Sequence, residues 1–236
     1  MLKADLSIII TSYNKPPEQV TECVESIRQQ TVSPKEIILV DDCSTQPCAN
    51  GYATSILLPR NVGVARARDV GVKMSTGSLL LFVDADDKLA PDYIEQMGKT
   101  IVAFDVAYPN VLLFGEIDRN QLIESPADLK PEDLLGKTNH VLVTSMMRKS
   151  MYLDLGGFKD MPVFEDWDFW IRAMCKGYTF GKANTLLYYR QNLESRNSVS
   201  RDLKSEIIQK ITSPYEVVDG KIKERKPSGT STPKTS

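Results

Sequence analysis

The sequence holds one histidine, His140, and four cysteines, Cys23, Cys43, Cys48 and Cys175, with no C-x-x-C pair among them. A structural zinc site takes four such ligands, and here only Cys43 and Cys48 lie near one another while His140 is far off in sequence, so no zinc site is expected and the sparse cysteines read as free thiols rather than a disulfide framework. Long apolar runs are missing too. None approaches the roughly 20 residues that cross a bilayer, and Met1-Leu-Lys-Ala-Asp5 leads into a strand without an apolar signal core, so the expected compartment is the cytoplasm. Nor does one sign of charge dominate. Lys and Arg number 29 against 31 Asp and Glu, a net charge of -2, so no global field draws the protein to nucleic acid or an anionic membrane. No internal repeat is visible, and no Gly-rich basic loop follows the first apolar run, which argues against a nucleotidyltransferase.

What is present suits one α/β domain. The chain has 236 residues, 42% hydrophobic and 25% charged, enough for a large core. Leu6 to Ile10 is a continuous apolar strand stopped by Thr11-Ser-Tyr-Asn14, and Pro16-Pro17 opens a helix with Val20, Cys23, Val24 and Ile27 at helical spacing. Ile37 to Val40 is a second strand, ending in Asp41-Asp42, and Ala53 to Leu58 a third. A helix from Val64 to about Ser75 is expected to bury Val64, Ala67, Val70, Gly71 and Met74, and Pro91 starts another helix carrying Tyr93, Ile94 and Met97. This β-α-β-β-α-β-α order is the layout of a nucleotide-binding half.

Pro109 suggests an edge or bent strand between Thr100 and Gly115, and Gln121 to Gly136 reads as loops and short helices. Val141 to Thr144 and Thr185 to Arg190 read as strands, Lys149 to Leu155 as a short helix closed by Gly156-Gly157, and Leu203 to Ile211 as a last helix. From there the composition turns to Lys, Pro, Ser and Thr, so residues 216–236 are expected to be a disordered basic tail behind a domain of residues 1–215, divided into 1–100 and 101–215.

Two stretches carry candidate chemistry. The strand Leu79 to Val83 ends in Asp84, Asp86 and Asp87, three carboxylates within four residues at a strand's carboxyl end, where ligands bind in open α/β sheets. Hard divalent cations take oxygen ligands together with substrate phosphates, so a metal and phosphate site is one reading; a capped turn with solvated acids is the other. Further on, Glu165 and Asp166 open a helix whose Trp167, Trp170, Ile171 and Met174 share a face. Acids there suit the helix dipole, and an aromatic neighbourhood would raise Asp166 towards a useful base. Arg190, Arg196 and Arg201 flank a polar loop and suit phosphate oxygens or plain solvent.

Five motifs stand in one order: Ile10-Thr-Ser-Tyr-Asn14, Val40-Asp-Asp42, Asn61-Val-Gly-Val-Ala-Arg-Ala-Arg68, Phe82-Val-Asp-Ala-Asp-Asp87, and Gly156-Gly-Phe158 followed by Glu165-Asp166. From about Leu6 to Arg196 the chain resembles the family 2 inverting glycosyltransferases of GT-A fold. The resemblance implies a Rossmann-like, mostly parallel sheet flanked by helices, a nucleotide-sugar donor with UDP- or dTDP-sugars foremost, and Mn2+ or Mg2+. It assigns Thr11, Tyr13, Asn14, Asp41, Asn61, Arg68, Asp84 and Asp86 to the nucleotide sugar, Asp86 and Asp84 to the metal, and Asp166 to the catalytic base. The acceptor it implies is a hydroxyl of a glycan, lipid-linked glycan or other glycoconjugate. A nucleotide-sugar-binding module without transfer, and a glycosyltransferase that modifies nucleic acid, are the alternatives. The chain departs from the family pattern at Cys43, where many members carry Gly, and at Asn192, where many carry a His that can assist the metal.

Overall fold

The computed structural model describes residues 4–47, 54–116, 120–191 and 200–225. The run Leu6–Ser12 forms β1 and is buried along its whole length, as a strand covered on both faces must be. It pairs in parallel with β2 (Glu36–Asp41) on one side and β4 (Leu79–Asp84) on the other, and β3 (Thr54–Leu57) extends the sheet beyond β2. Side chains alternate between the two faces with the period of a strand. Ile8 and Ile10 of β1, with Leu81 and Val83 of β4, face α1 (Pro17–Arg28) and α3 (Tyr93–Thr100); Ile9, Leu80 and Phe82 face the opposite core, where α2 (Val64–Met74) and α6 (Glu165–Cys175) pack. Helix α1 begins at Pro17 and buries Val20, Cys23, Val24 and Ile27, as its spacing predicts.

Past β4 the pairing becomes mixed. β8 (Met146–Arg148) lies antiparallel to β4, then come β6 (Val106–Gly115) and β9 (Phe180–Gln191), with the short β5 (Lys88–Leu89) on β9 and β7 (Gln121–Ile123) on β6. The sheet is thus parallel where the nucleotide-binding half was expected and mixed beyond it. Pro109 does not put β6 at an edge. The strand is interior, between β8 and β9, and the register with β9 shifts between Tyr108 and Asn110, an irregularity that accommodates the missing N–H.

Four other expectations are corrected. Helix α2 buries Ala65, Ala67, Arg68, Gly71 and Val72, and Met74 is exposed, because Gly71 brings the helix so close to Ile9 that this face must point inward. Val141 to Thr144 is not a strand; the pairing begins at Met146, and the expected short helix α5 (Lys149–Asp154) follows it. Before the one-turn helix α4 (Pro131–Leu134), the segment from Gln121 holds a strand, β7, rather than a further helix. The tail is not disordered from residue 216. After α7 (Arg201–Thr212), Tyr215–Val218 and Lys221–Glu224 form the antiparallel hairpin β10–β11, turning at Asp219 (φ 53°) and Gly220 (φ 68°), with Ile222 and Tyr215 buried. Residues 226–236, like Cys48, Asn192 and Arg196, lie outside the described residues.

Candidate active site

The register of the sheet collects the chemistry at one end. Thr11 pairs with both Val40 and Asp84, and Ser12 with Asp41, so the carboxyl ends of β1, β2 and β4 lie side by side. A cavity of about 500 Å³ opens there, walled by Thr11, Tyr13, Asn61, Asp84 and Asp86 among others. A second, of about 420 Å³, holds Asp166, Glu165 and Arg68. Asp84, Asp87, Val64 and Tyr189 line both, so the two compartments adjoin along a wall made by the end of β4.

The first compartment is cationic as well as anionic. Lys15 Nζ sits 2.5 Å from Asp86 Oδ2. Arg190 on β9 holds the turn from behind: its Nε donates to the Asp86 carbonyl and its backbone N–H to Asp87 Oδ1. Burial first, then the neighbouring Asp84 and Asp86 carboxylates, push Asp87 well above the usual carboxylate range, which fits a residue that supports the turn. Tyr13, 49% exposed, stands on the rim with a free ring face.

Several residues assigned to the nucleotide sugar are placed differently from one another. Thr11, Tyr13, Asn61, Asp84 and Asp86 line the first compartment. Asn14 adopts φ 50° and turns its Oδ1 to the N–H and hydroxyl of Thr45, bracing the loop after β2. Asp42 is on the cavity wall, its two oxygens accepting the N–H groups of Val62 and Gly63, whereas Asp41 lies beneath with Oδ2 buried and no hydrogen-bond partner among the described residues. Arg68 is 2% exposed and lines the second compartment, its guanidinium bridging Glu165 Oε1 at 2.5 Å and Asp84 Oδ1 at 2.9 Å. Cys43 takes φ 68°, the left-handed region that glycine favours, which gives a physical reason for the glycine many family members carry there.

Asp166 stands in the first turn of α6. Burial, followed by the adjacent Glu165 carboxylate and opposed by Arg68, raises its carboxyl to about 7. The helix starts after Phe164, held at φ 65°, and Trp167, Phe169 and Trp170 anchor its far side in the core.

A family model described as Glycosyl transferase family 2 matches residues 7–148, more than half of the chain. The chain belongs to glycosyl transferase family 2. An uncharacterized glycosyltransferase, YwdF, of Bacillus subtilis is 33% identical over 183 residues, 71% of this chain and 67% of that one. The amylovoran biosynthesis glycosyltransferase AmsE of Erwinia amylovora is 27% identical over 193 residues, 73% of this chain and 70% of that one. In fold the chain matches S. aureus TarS residues 1–349 in complex with UDP-GlcNAc, with TM-score 0.66 and 20% identity over 87% of this chain and 65% of that chain. The protein is therefore a glycosyltransferase, and its α/β sheet is of the kind the sequence predicts.

The donor set of this glycosyltransferase fits a hard divalent cation. Asp84 and Asp86 offer oxygen, and among the described residues no three Cys, His, Asp or Glu side chains group into a complete protein cage. Mg2+ in particular is held by one or two carboxylates, with phosphate and water completing its shell. Lys15 is the wall residue that the sequence reading does not single out, although it adjoins the first motif. Asp42 is legible as a motif position and Arg190 as a phosphate candidate, but the reach of Arg190 to Asp86 across 104 residues has no local pattern.

Proposed function

We propose that this glycosyltransferase is an inverting, divalent-metal-dependent enzyme that transfers a sugar from a UDP- or dTDP-sugar to a hydroxyl of a glycan, lipid-linked glycan or other glycoconjugate. The observation that supports it best is the shared wall: the carboxylates that would face a diphosphate and the carboxyl that would take a proton line adjoining compartments. Tyr13 offers its ring to the base, and Asp41, whose Oδ2 is buried behind the wall with no hydrogen-bond partner among the described residues, is the acceptor that the family pattern assigns to a ring N–H. The complex of the structural neighbour makes UDP-GlcNAc the first donor to try.

Asp84 and Asp86 would hold the cation, which when bound offsets the negative charge that grows on the leaving diphosphate. Lys15 adds an ammonium beside Asp86 Oδ2. Asp166 would accept the proton of the acceptor hydroxyl as that oxygen attacks the anomeric carbon from the face opposite the diphosphate. One carboxylate suffices, because the leaving group is stabilised electrostatically and not protonated. A carboxyl raised to about 7 is matched to this work near neutral pH.

The test is Asp166→Asn. UDP release from UDP-GlcNAc, in the presence of Mn2+ and either water or a glycan acceptor, should fall by at least about a hundredfold, the usual worth of a general base, with UDP binding unchanged. Turnover at the wild-type rate would remove Asp166 from this role.

A further inference from the structure

Asp166 has its two carboxylate oxygens held from two different segments. The backbone N–H of Trp167 donates to Oδ1 at 2.8 Å, and the side-chain amide of Asn139 donates to Oδ2 at 3.1 Å. Asn139 is 27 residues away in sequence, on the loop between α4 and β8 that also supplies Leu142, Val143 and Thr144 to the second compartment. The other end of its amide is engaged as well, because Oδ1 accepts the N–H of Val141 at 3.2 Å. An ionised carboxylate only accepts and a backbone N–H only donates, so a single orientation of the amide satisfies both.

We propose that Asn139 is the positioning residue of the base: its amide clamps the Asp166 carboxylate plane and ties the acceptor-side loop to α6. The inference rests on the reading of Asp166 as the base. A turn-forming asparagine would need only its bond to Val141. The second bond, to a carboxylate in the same cavity, is what a turn does not require. With one donor on each oxygen, the carboxylate cannot rotate freely, and its remaining lone pairs are left for an incoming hydroxyl.

The clamp acts within a charged setting. Glu165 from α6 itself, Arg68 from α2, Asp84 from β4 and Tyr189 from β9 all face Asp166. Burial and the Glu165 carboxylate disfavour ionisation, and Arg68 opposes them. An amide N–H on Oδ2 favours the ionised form, so Asn139 works on the same side as Arg68.

Asn139→Ala removes the donor to Asp166 without adding a charge. Asn139→Asp keeps an acceptor for the Val141 N–H but sets a second carboxyl against Asp166, so it serves as the control for the loop's turn. The metal-free protein, labelled with carboxyl-13C aspartate, is titrated by NMR from about pH 4 to about pH 9, and the Asp166 resonance is the one missing in Asp166→Asn. The midpoint should rise by about one pH unit or more in both Asn139 variants. UDP release from UDP-GlcNAc by Asn139→Asp should drop at neutral pH and recover partly in alkali, with UDP affinity unchanged.

An unmoved midpoint in Asn139→Ala overturns the clamp. So does loss of cooperative melting in both variants, which would make Asn139 a structural residue. These failures leave the base itself standing. Full turnover by Asp166→Asn is the separate result that removes the base.

Discussion

Lys15 and Asp86 make an ion pair whose value to folding is small. The ammonium is about a third exposed, and pairs this wet contribute on the order of 0–1 kcal/mol. Its consequence lies in what binds beside it. Asp86, paired with Lys15, brings a negative charge to the floor of a compartment proposed to receive a diphosphate and its cation. If a cation completes the neutralisation, Asp86→Ala should weaken UDP binding by about tenfold or more in Mn2+ and leave it unchanged in chelator, as measured by calorimetry. A loss of the same size in chelator would argue that Asp86 shapes the pocket without holding metal. The sequence reached Asp86 because three carboxylates ending an apolar strand are a local pattern. It did not reach Asn139, whose bond to Asp166 spans 27 residues and carries no spacing of its own. Arg68 was legible as a motif position but not as a buried bridge, because burial is set by the approach of α2 to the sheet.

At the level of elements, periodicity served well wherever one strand or helix buries a continuous apolar face, as in β1, α1 and α3. It failed at the C-terminal hairpin, where each strand has four residues and Glu and Lys interrupt a short alternation. The signal was nonetheless there. Asp219-Gly220 is a turn dipeptide whose residues both take positive φ, the geometry of a two-residue hairpin, and Val217 and Ile222 flank it as partners across the strands. β11 packs on α6, and Ile222 joins the core cluster that contains Trp167 and Trp170. The hairpin is therefore part of what braces the helix that presents Asp166. Ile222→Ala should destabilise the protein by about 2–4 kcal/mol in urea denaturation, the usual loss for a buried isoleucine. A change below about 0.5 kcal/mol, typical of a surface site, would show the hairpin to be an appendage.

Across the whole molecule, the two halves of the cleft are joined by one buried cation. Arg68 reaches Asp84 at the end of β4 with one nitrogen and Glu165 at the start of α6 with the other, and its guanidinium lies over the Phe158 ring at 5.4 Å. Burial works against its charge, but the two carboxylates outweigh burial and hold it firmly protonated. Arg68→Met would leave the buried Glu165 and the partly exposed Asp84 without the cation they share. Breaking a buried pair costs about 3–5 kcal/mol, and the water that reaches Asp84 puts this loss at the lower end, about 3 kcal/mol. The sign of its pH dependence follows from which partner is lost. With the cation gone, the Asp166 carboxyl, already raised to about 7 against the opposing pull of Arg68, rises further, so the folded state holds that proton more tightly than the unfolded chain does, and the variant gains relative stability as pH falls and loses it as pH rises. The gap between wild type and Arg68→Met in melting temperature should therefore be widest in mild alkali and narrow in mild acid. Arg68→Lys keeps the charge but loses the fork that spans both partners, and should recover only part of the loss. A gap that is flat with pH would mean that Arg68 acts by filling space against Phe158 and not by joining the proposed leaving-group and base sides of the cleft.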